Sequence, residues 1–238
     1  MKKILIIQSR QKKKDIESEQ KQYLKVTKGL AYISFTSAVD ANASWNEPKK
    51  LLASCDAVFI GGSGDFDFDG GSKSNDRARN GAVFIRERLR PLISYLISHN
   101  IPTLGICFGH QIIAEMYGGG VKHNTDQAKK GLRKVIVTKE GQKDRLLSRL
   151  SPHFSARYWH KDSVSALPVG ATLLATARDC KFSALRYGKN MYTFQFHPER
   201  AARTLIEKLK ILKKPWMKEE KSASLLLSFF INHIIKRH

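Results

Sequence analysis

Pro102-Thr-Leu-Gly-Ile-Cys-Phe-Gly-His-Gln111 is the stretch on which the fold turns. A short apolar run reaches Gly105, a single cysteine follows at Cys107, and Gly109 opens an apolar pattern of helical period. Gly-x-Cys-x-Gly has the spacing of a nucleophile elbow, with cysteine where hydrolases carry serine. A strand that turns sharply into a helix strains the residue at the turn, and side chains beside it would collide. The turn lifts the sulfur clear of the sheet and sets it at a helix N-terminus. Backbone N–H groups there favour thiolate and can receive a developing oxyanion. The same residues also describe a buried structural cysteine between two turn glycines, so the choice falls to the rest of the chain.

Far downstream the chain reads Met191-Tyr-Thr-Phe-Gln-Phe-His-Pro-Glu199. Aromatic and β-branched residues form a strand that ends at His197, with an acid two positions later. A cysteine, a distant histidine and a carboxylate are the parts of an activated thiol: Cys107 as nucleophile, His197 as base, Glu199 orienting the base. Pro198 holds His197 in an extended or turn conformation, which suits a residue leaving a strand. Gln111 lies one helical turn beyond Cys107, where its amide can stand beside a substrate. His110 reads as a packing residue of the helix.

Leu104 to Gln111 and Phe194 to Glu199 resemble the two signatures of class I glutamine amidotransferases. Val58-Phe-Ile-Gly-Gly-Ser-Gly-Asp65 is similar to the glycine loop that supplies that family's oxyanion hole, though Ser63 and Asp65 stand where the family commonly has proline and serine. Tyr158-Trp-His-Lys-Asp-Ser-Val164, followed by Leu167-Pro-Val-Gly-Ala171, resembles a segment of the glutaminase domain of GMP synthetase and its stand-alone relatives. The resemblance implies a flavodoxin-like α/β fold and hydrolysis of L-glutamine or a related γ-glutamyl compound. It places the oxyanion hole at the N–H groups of Gly62 and Phe108, and substrate contacts at Gly61, Gln111, His160 and Asp162. It implies no metal, no organic cofactor, and a possible separate synthetase subunit that takes the ammonia. A free-standing γ-glutamyl hydrolase or peptidase, and a non-catalytic basic binding protein on the same fold, stay open beside it.

Composition narrows the field further. A chain of 238 residues is long enough for one large domain or two small ones, and easily buries a core. Its three cysteines, Cys55, Cys107 and Cys180, are widely spaced and suit neither a disulfide framework nor a zinc cluster, so a reducing cytoplasm is the expected setting. Ile4 to Ile7 is too short for a signal segment, and no apolar run has the length of a membrane span. The net charge is +21. Residues 56–126, which hold the glycine loop and the elbow, carry 7 Lys/Arg against 8 acids, whereas residues 127–198 carry 14 against 4. The surplus avoids the site. No nucleic-acid motif accompanies it, and a generally basic surface accounts for it at least as well as a nucleic-acid partner.

In order, the pattern predicts a strand at 3–8, a solvated helix at 11–28, and a second strand at 31–36. A Pro-started helix follows at 46–53, then a buried strand at 56–60 running into the glycine loop. A long helix at 80–100, with Val83, Phe84, Leu92, Tyr95 and Leu96 as its apolar positions, should kink or break at Pro91. After the elbow strand and its helix, residues 121–133 read as polar loop. Strands are expected at 134–138, 171–176, 182–187 and 191–196, the late ones antiparallel additions to a parallel sheet, with a short helix at 142–150. A helix at 200–212 and a last one at 219–236 docked on the domain complete one α/β unit spanning 1–238: a mostly parallel central sheet flanked by helices on both faces.

Overall fold

The computed structural model describes residues 1–70, 76–127, 129–200, 223 and 225–235. In chain order the elements are β1 (Lys2–Gln8), α1 (Lys13–Thr27), β2 (Ala31–Ser37), α2 (Pro48–Leu51), β3 (Ala57–Ile60), α3 (Arg77–Ser98), β4 (Thr103–Ile106), α4 (Phe108–Met116), β5 (Val121–His123), β6 (Lys129–Val137) and α5 (Lys139–Lys143). Strands β7 (His153–His160), β8 (Asp162–Val164), β9 (Ala171–Ala177), β10 (Cys180–Tyr187) and β11 (Met191–Phe194) follow. The main sheet has nine strands in the order β2-β1-β3-β4-β11-β10-β9-β6-β7, and β5 pairs with β8 in a separate ribbon.

Five neighbouring strands, β2, β1, β3, β4 and β11, run parallel; from β11 through β10, β9 and β6 to β7 each pairing is antiparallel. Parallel strands covered on both faces read as unbroken apolar runs, because alternate side chains enter different cores. Ile4, Ile6, Ala57, Phe59, Leu104 and Ile106 face one side, with Tyr23 of α1 and the C-terminal segment. Leu5, Ile7, Val58 and Ile60 face the other, with the buried residues of α3 and α4. Phe230 meets Phe59 and Tyr192 edge-on, at ring-centroid distances of 5.7 and 6.0 Å. Phe230 thus packs on the sheet, in a segment that widens into a π-helical turn at Phe230–Ile234. The helix expected at 200–212 lies outside the described residues apart from its first residue.

Register is what builds a site. Ile4–Ile7 pair with Ala57–Ile60, Val58–Ile60 with Thr103–Gly105, and Thr103–Ile106 with Met191–Phe194. The carboxyl ends of four parallel strands thus finish level. The segments just beyond them, Ser9-Arg10, Gly61-Gly62, Cys107 and Gln195 to Glu199, meet at one edge of the sheet, where open α/β sheets place ligands.

Several expectations are corrected. Helix α3 runs through Pro91, anchored on either side by buried Leu89, Leu92, Ile93 and Leu96. Its N-terminus comes earlier than expected, capped by Asp76, whose carboxylate accepts from Ala78 N–H at 2.7 Å. Val83 and Phe84 are 38% and 50% exposed, the buried face being Ala82, Ile85 and Leu89 instead. Residues 121–133 are not loop throughout: β5 and the start of β6 lie there, and Gly131 is paired with Tyr158 inside the sheet. Strand β7, which the pattern missed, forms the sheet edge. Among the described residues no helix is long and apolar enough to cross a membrane.

Candidate active site

Cys107 has φ 53° and ψ −99°, a left-handed backbone conformation that L side chains rarely adopt. Two glycines make room for it. A Cβ on Gly109 would lie 2.2 Å from the Ile60 carbonyl oxygen, and one on Gly105 would lie 2.9 Å from Ile113 Cδ1. Helix α4 is pressed onto β3 and β4 at a distance that only glycine allows. The Cys107 N–H donates to the Phe194 carbonyl at 2.7 Å, and Sγ points toward the Trp159 carbonyl at 3.5 Å.

His197 reaches the thiol from the turn after β11. Its N–H is fixed by the Arg157 carbonyl at 2.8 Å, and Nδ1 meets Glu199 Oε1 at 2.6 Å. The ring also shares a side-chain hydrogen bond with Cys107. All three side chains are buried. Burial opposes a charged imidazole, but Glu199 first and Cys107 second outweigh it and push His197 up to about 9. Burial would likewise lift Glu199, yet the His197 charge and hydrogen bond bring it below the ordinary carboxylate range. Such an arrangement favours the charged imidazolium beside the sulfur.

Gly62 sits between the reacting groups. A methyl placed on it would be 3.1 Å from His197 Cε1 and 3.4 Å from both Cys107 Cβ and Arg10 Nη2. Its N–H has no hydrogen-bond acceptor among the described residues. Phe108, the first residue of α4, has no intrahelical acceptor for its own N–H. Gly61 takes a different part: its carbonyl accepts from Gly109 N–H at 3.2 Å, tying the loop to the helix. Two N–H groups next to the sulfur are the makings of an oxyanion hole.

The remaining residues expected at the substrate have partners within the protein. Asp162 is buried, and its carboxylate accepts from Phe68 and Asp69 N–H, each at 2.8 Å, and from Gly70 N–H. It braces the 66–70 loop, whose Phe66 and Phe68 lie over Phe108 at centroid distances of 6.2 and 5.7 Å. Gln111 Nε2 donates to the Asp162 carbonyl at 2.7 Å, and His160 Nδ1 lies 2.9 Å from the same oxygen. These three support the wall of the site. His110 is a packing residue: it is fully buried against Thr193 Oγ1 at 2.8 Å, and burial lowers it to about 3. Among the described residues no cluster of three His, Cys, Asp or Glu side chains is arranged to hold a metal ion.

The sequence reading missed one pair. Arg10 and Glu19 form a buried ion pair, Nε to Oε1 3.1 Å, against the glycine loop. The signal was present in the spacing of Glu19, Tyr23 and Thr27, which puts an acid on the apolar stripe of α1.

An elbow cysteine, a histidine braced by a glutamate and a glycine loop with open N–H groups meet at the carboxyl edge of a doubly covered α/β sheet. The family profile described as glutamine amidotransferase class-I matches residues 24–212, and the chain belongs to that family. The glutamine-hydrolyzing GMP synthase subunit of Methanocaldococcus jannaschii is 37% identical over 114 residues, 48% of this chain and 58% of that protein. The same-named protein of Sulfolobus acidocaldarius is 38% identical over 106 residues, 44% of this chain and 54% of that one. The chain thus spans less than two thirds of the length of these curated relatives. The crystal structure of a glutamine amidotransferase from Thermotoga maritima superposes with a TM-score of 0.63 at 19% identity, over 99% of each chain, and shares the fold.

Proposed function

We propose that this chain is a glutamine amidotransferase subunit that hydrolyses the side-chain amide of L-glutamine and passes the ammonia to a separate acceptor enzyme. The observation that carries this reading is the strained Cys107 at the start of α4, facing a His197 whose other nitrogen is held 2.6 Å from Glu199. His197 takes the thiol proton as sulfur attacks the γ-carbonyl carbon. The N–H groups of Gly62 and Phe108 receive the oxyanion. As the tetrahedral intermediate collapses, the imidazolium protonates the leaving nitrogen and ammonia departs. Water, deprotonated by the same imidazole, then attacks the thioester, glutamate leaves, and the thiol is restored. Glu199 keeps the imidazole in the tautomer that presents Nε2 to the sulfur and stabilises its charged form.

A separate acceptor is supported by the names of the relatives, which describe one subunit of GMP synthase rather than a self-sufficient enzyme. The test is glutamate release from glutamine and from γ-glutamyl dipeptides, by pure protein and with added lysate containing the acceptor. Slow hydrolysis of glutamine, accelerated by the lysate and absent in Cys107→Ala, is the expected result. Vigorous hydrolysis of dipeptides by the pure protein, unaffected by lysate, would favour a free-standing γ-glutamyl hydrolase instead.

A further inference from the structure

The proposed reaction leaves unused the two charged groups beside the glycine loop. Arg10 is 8% exposed and Glu19 2%. Gln8 Nε2 holds the second carboxylate oxygen at 2.9 Å, and Gln20 Nε2 in turn donates to Gln8 Oε1 at 2.9 Å. The pair has a direction. Glu19 Oε1 lies on the Gly61 side, 3.4 Å from where a Cβ of that residue would be. The guanidinium lies on the Gly62–Gly64 side, with Nη2 3.4 Å and Nη1 3.5 Å from the corresponding positions of those two glycines. The Gly62 position is itself 3.4 Å from Cys107 Cβ, so the positive end of the pair is the end at the nucleophile.

Stability gives a poor reason for this arrangement. Replacing a buried ion pair by apolar groups of similar volume is often neutral or stabilising. Burial works against the Arg10 charge, but Glu19 overcomes it and raises the group above its ordinary value. Burial lifts the Glu19 carboxyl, and Arg10 with Gln8 pulls it back only in part. The 3.1 Å contact and the Gln8 donor favour the ionised pair over a neutral acid.

We propose that Arg10, aimed by Glu19, is a positioning residue of the thiol site: its guanidinium is a fixed positive charge on the Gly62 side of the loop, favouring negative charge first on the Cys107 sulfur and then on the oxygen of the tetrahedral intermediate. This rests on Cys107 being the nucleophile. The charged and titratable groups coupled to this site are His197 and Glu199 from the turn after β11, Arg200 at 3.8 Å from Glu199, and Glu19 beside Arg10. Arg10 enters the site from the segment just beyond β1.

The experiment uses the full chain. Removing Arg10 alone would strand a buried carboxylate, so Arg10→Met/Glu19→Met takes out both charges at similar volume, and Arg10→Gln/Glu19→Gln serves if the first does not fold. Arg10→Lys keeps the charge. The readouts are the rate of Cys107 alkylation by iodoacetamide across pH, kcat and KM for glutamine, and Tm. The neutral pair should fold with little loss of Tm. Its alkylation at neutral pH should slow about ten-fold, with the pH profile moved to the alkaline side, and kcat should fall about ten-fold at constant KM, the equivalent of about 1.4 kcal/mol. Arg10→Lys should recover most of both. A folded neutral pair with alkylation and kcat at wild-type levels would overturn the proposal. If wild-type protein releases no glutamate, the proposed reaction fails, while the alkylation profile still decides the part played by Arg10.

Discussion

Glu199→Gln removes one negative charge and almost nothing else. The structure sets its size. His197 is carried from an ordinary 6.5 to about 9 although burial pulls the other way. At about 1.36 kcal/mol per pH unit, that rise represents about 3 kcal/mol favouring the imidazolium. Against the burial that opposes the charge, Glu199 is the leading favourable cause, ahead of the Cys107 sulfur, so kcat should fall about ten-fold or more. Glu199 is almost fully buried, so solvent screening takes little from this figure. The amide adds a second penalty. Oε2 of Glu199 is buried without a hydrogen bond among the described residues, so an NH2 there finds no acceptor. Turning the amide over instead presents NH2 to the imidazole and imposes the wrong tautomer. Steady-state glutamate release, with kcat and KM resolved, is the assay, and the expected pattern is lower kcat at nearly constant KM. A raised KM with kcat intact would show Glu199 to be a substrate contact and refute its part as orienter.

Other consequences are as concrete. Cys107, whose sulfur shares a hydrogen bond with His197, should be alkylated by iodoacetamide well ahead of Cys180, which is equally buried, and of Cys55, whose thiol burial pushes up; equal labelling in a peptide map would contradict the paired thiol. Gly109→Ala should cost about 3 kcal/mol or prevent folding, since its Cβ would fall 2.2 Å from the Ile60 carbonyl oxygen; denaturant unfolding measures it, and a neutral effect would refute the close packing at the elbow. Asp162→Asn leaves at least one loop N–H short of a good acceptor and should cost about 1–3 kcal/mol in the same assay, with activity lost as the 66–70 loop loosens over Phe108. Stability should also depend on pH in a set direction. The raised His197 contributes fully below its unfolded value of 6.5 and loses that contribution as pH climbs through about 9, whereas the lowered Glu199 contributes above its unfolded 4.5 and loses it as pH falls through its folded value. Thermal unfolding across pH should therefore show its best range between these limits, and His197→Gln should flatten the alkaline fall.

What the sequence revealed and concealed follows from the range of the forces involved. Strands β1, β3, β4 and β11 were legible because both faces are buried, which leaves uninterrupted apolar runs. The elbow was legible because its geometry needs glycine at two fixed spacings around Cys107. Strand β7 was not, since as a sheet edge it mixes exposed His153 and Trp159 with buried Phe154 and Tyr158 and shows no clean period. The course of α3 through Pro91 is settled by tertiary packing of Leu89 and Leu92, which a local rule about proline cannot see. Asp162 was expected at the substrate because it stands in a family-like segment. Its carboxylate accepts from amides 92 to 94 residues away, a relation no local pattern carries. Arg10 and Glu19 sit at the margin of a lysine-rich stretch that reads as solvated, and only the close approach of α1 to the glycine loop draws them inside.

The central claim is a covalent one, and it is met most directly by acid-quenching the protein during turnover of glutamine and mapping adducts by mass spectrometry. The mechanism predicts one γ-glutamyl group, bound as a thioester to the peptide containing Cys107, labile to hydroxylamine, and missing in Cys107→Ala. Glutamate release with no adduct on Cys107 in rapidly quenched samples, or release that persists in Cys107→Ala, would contradict it.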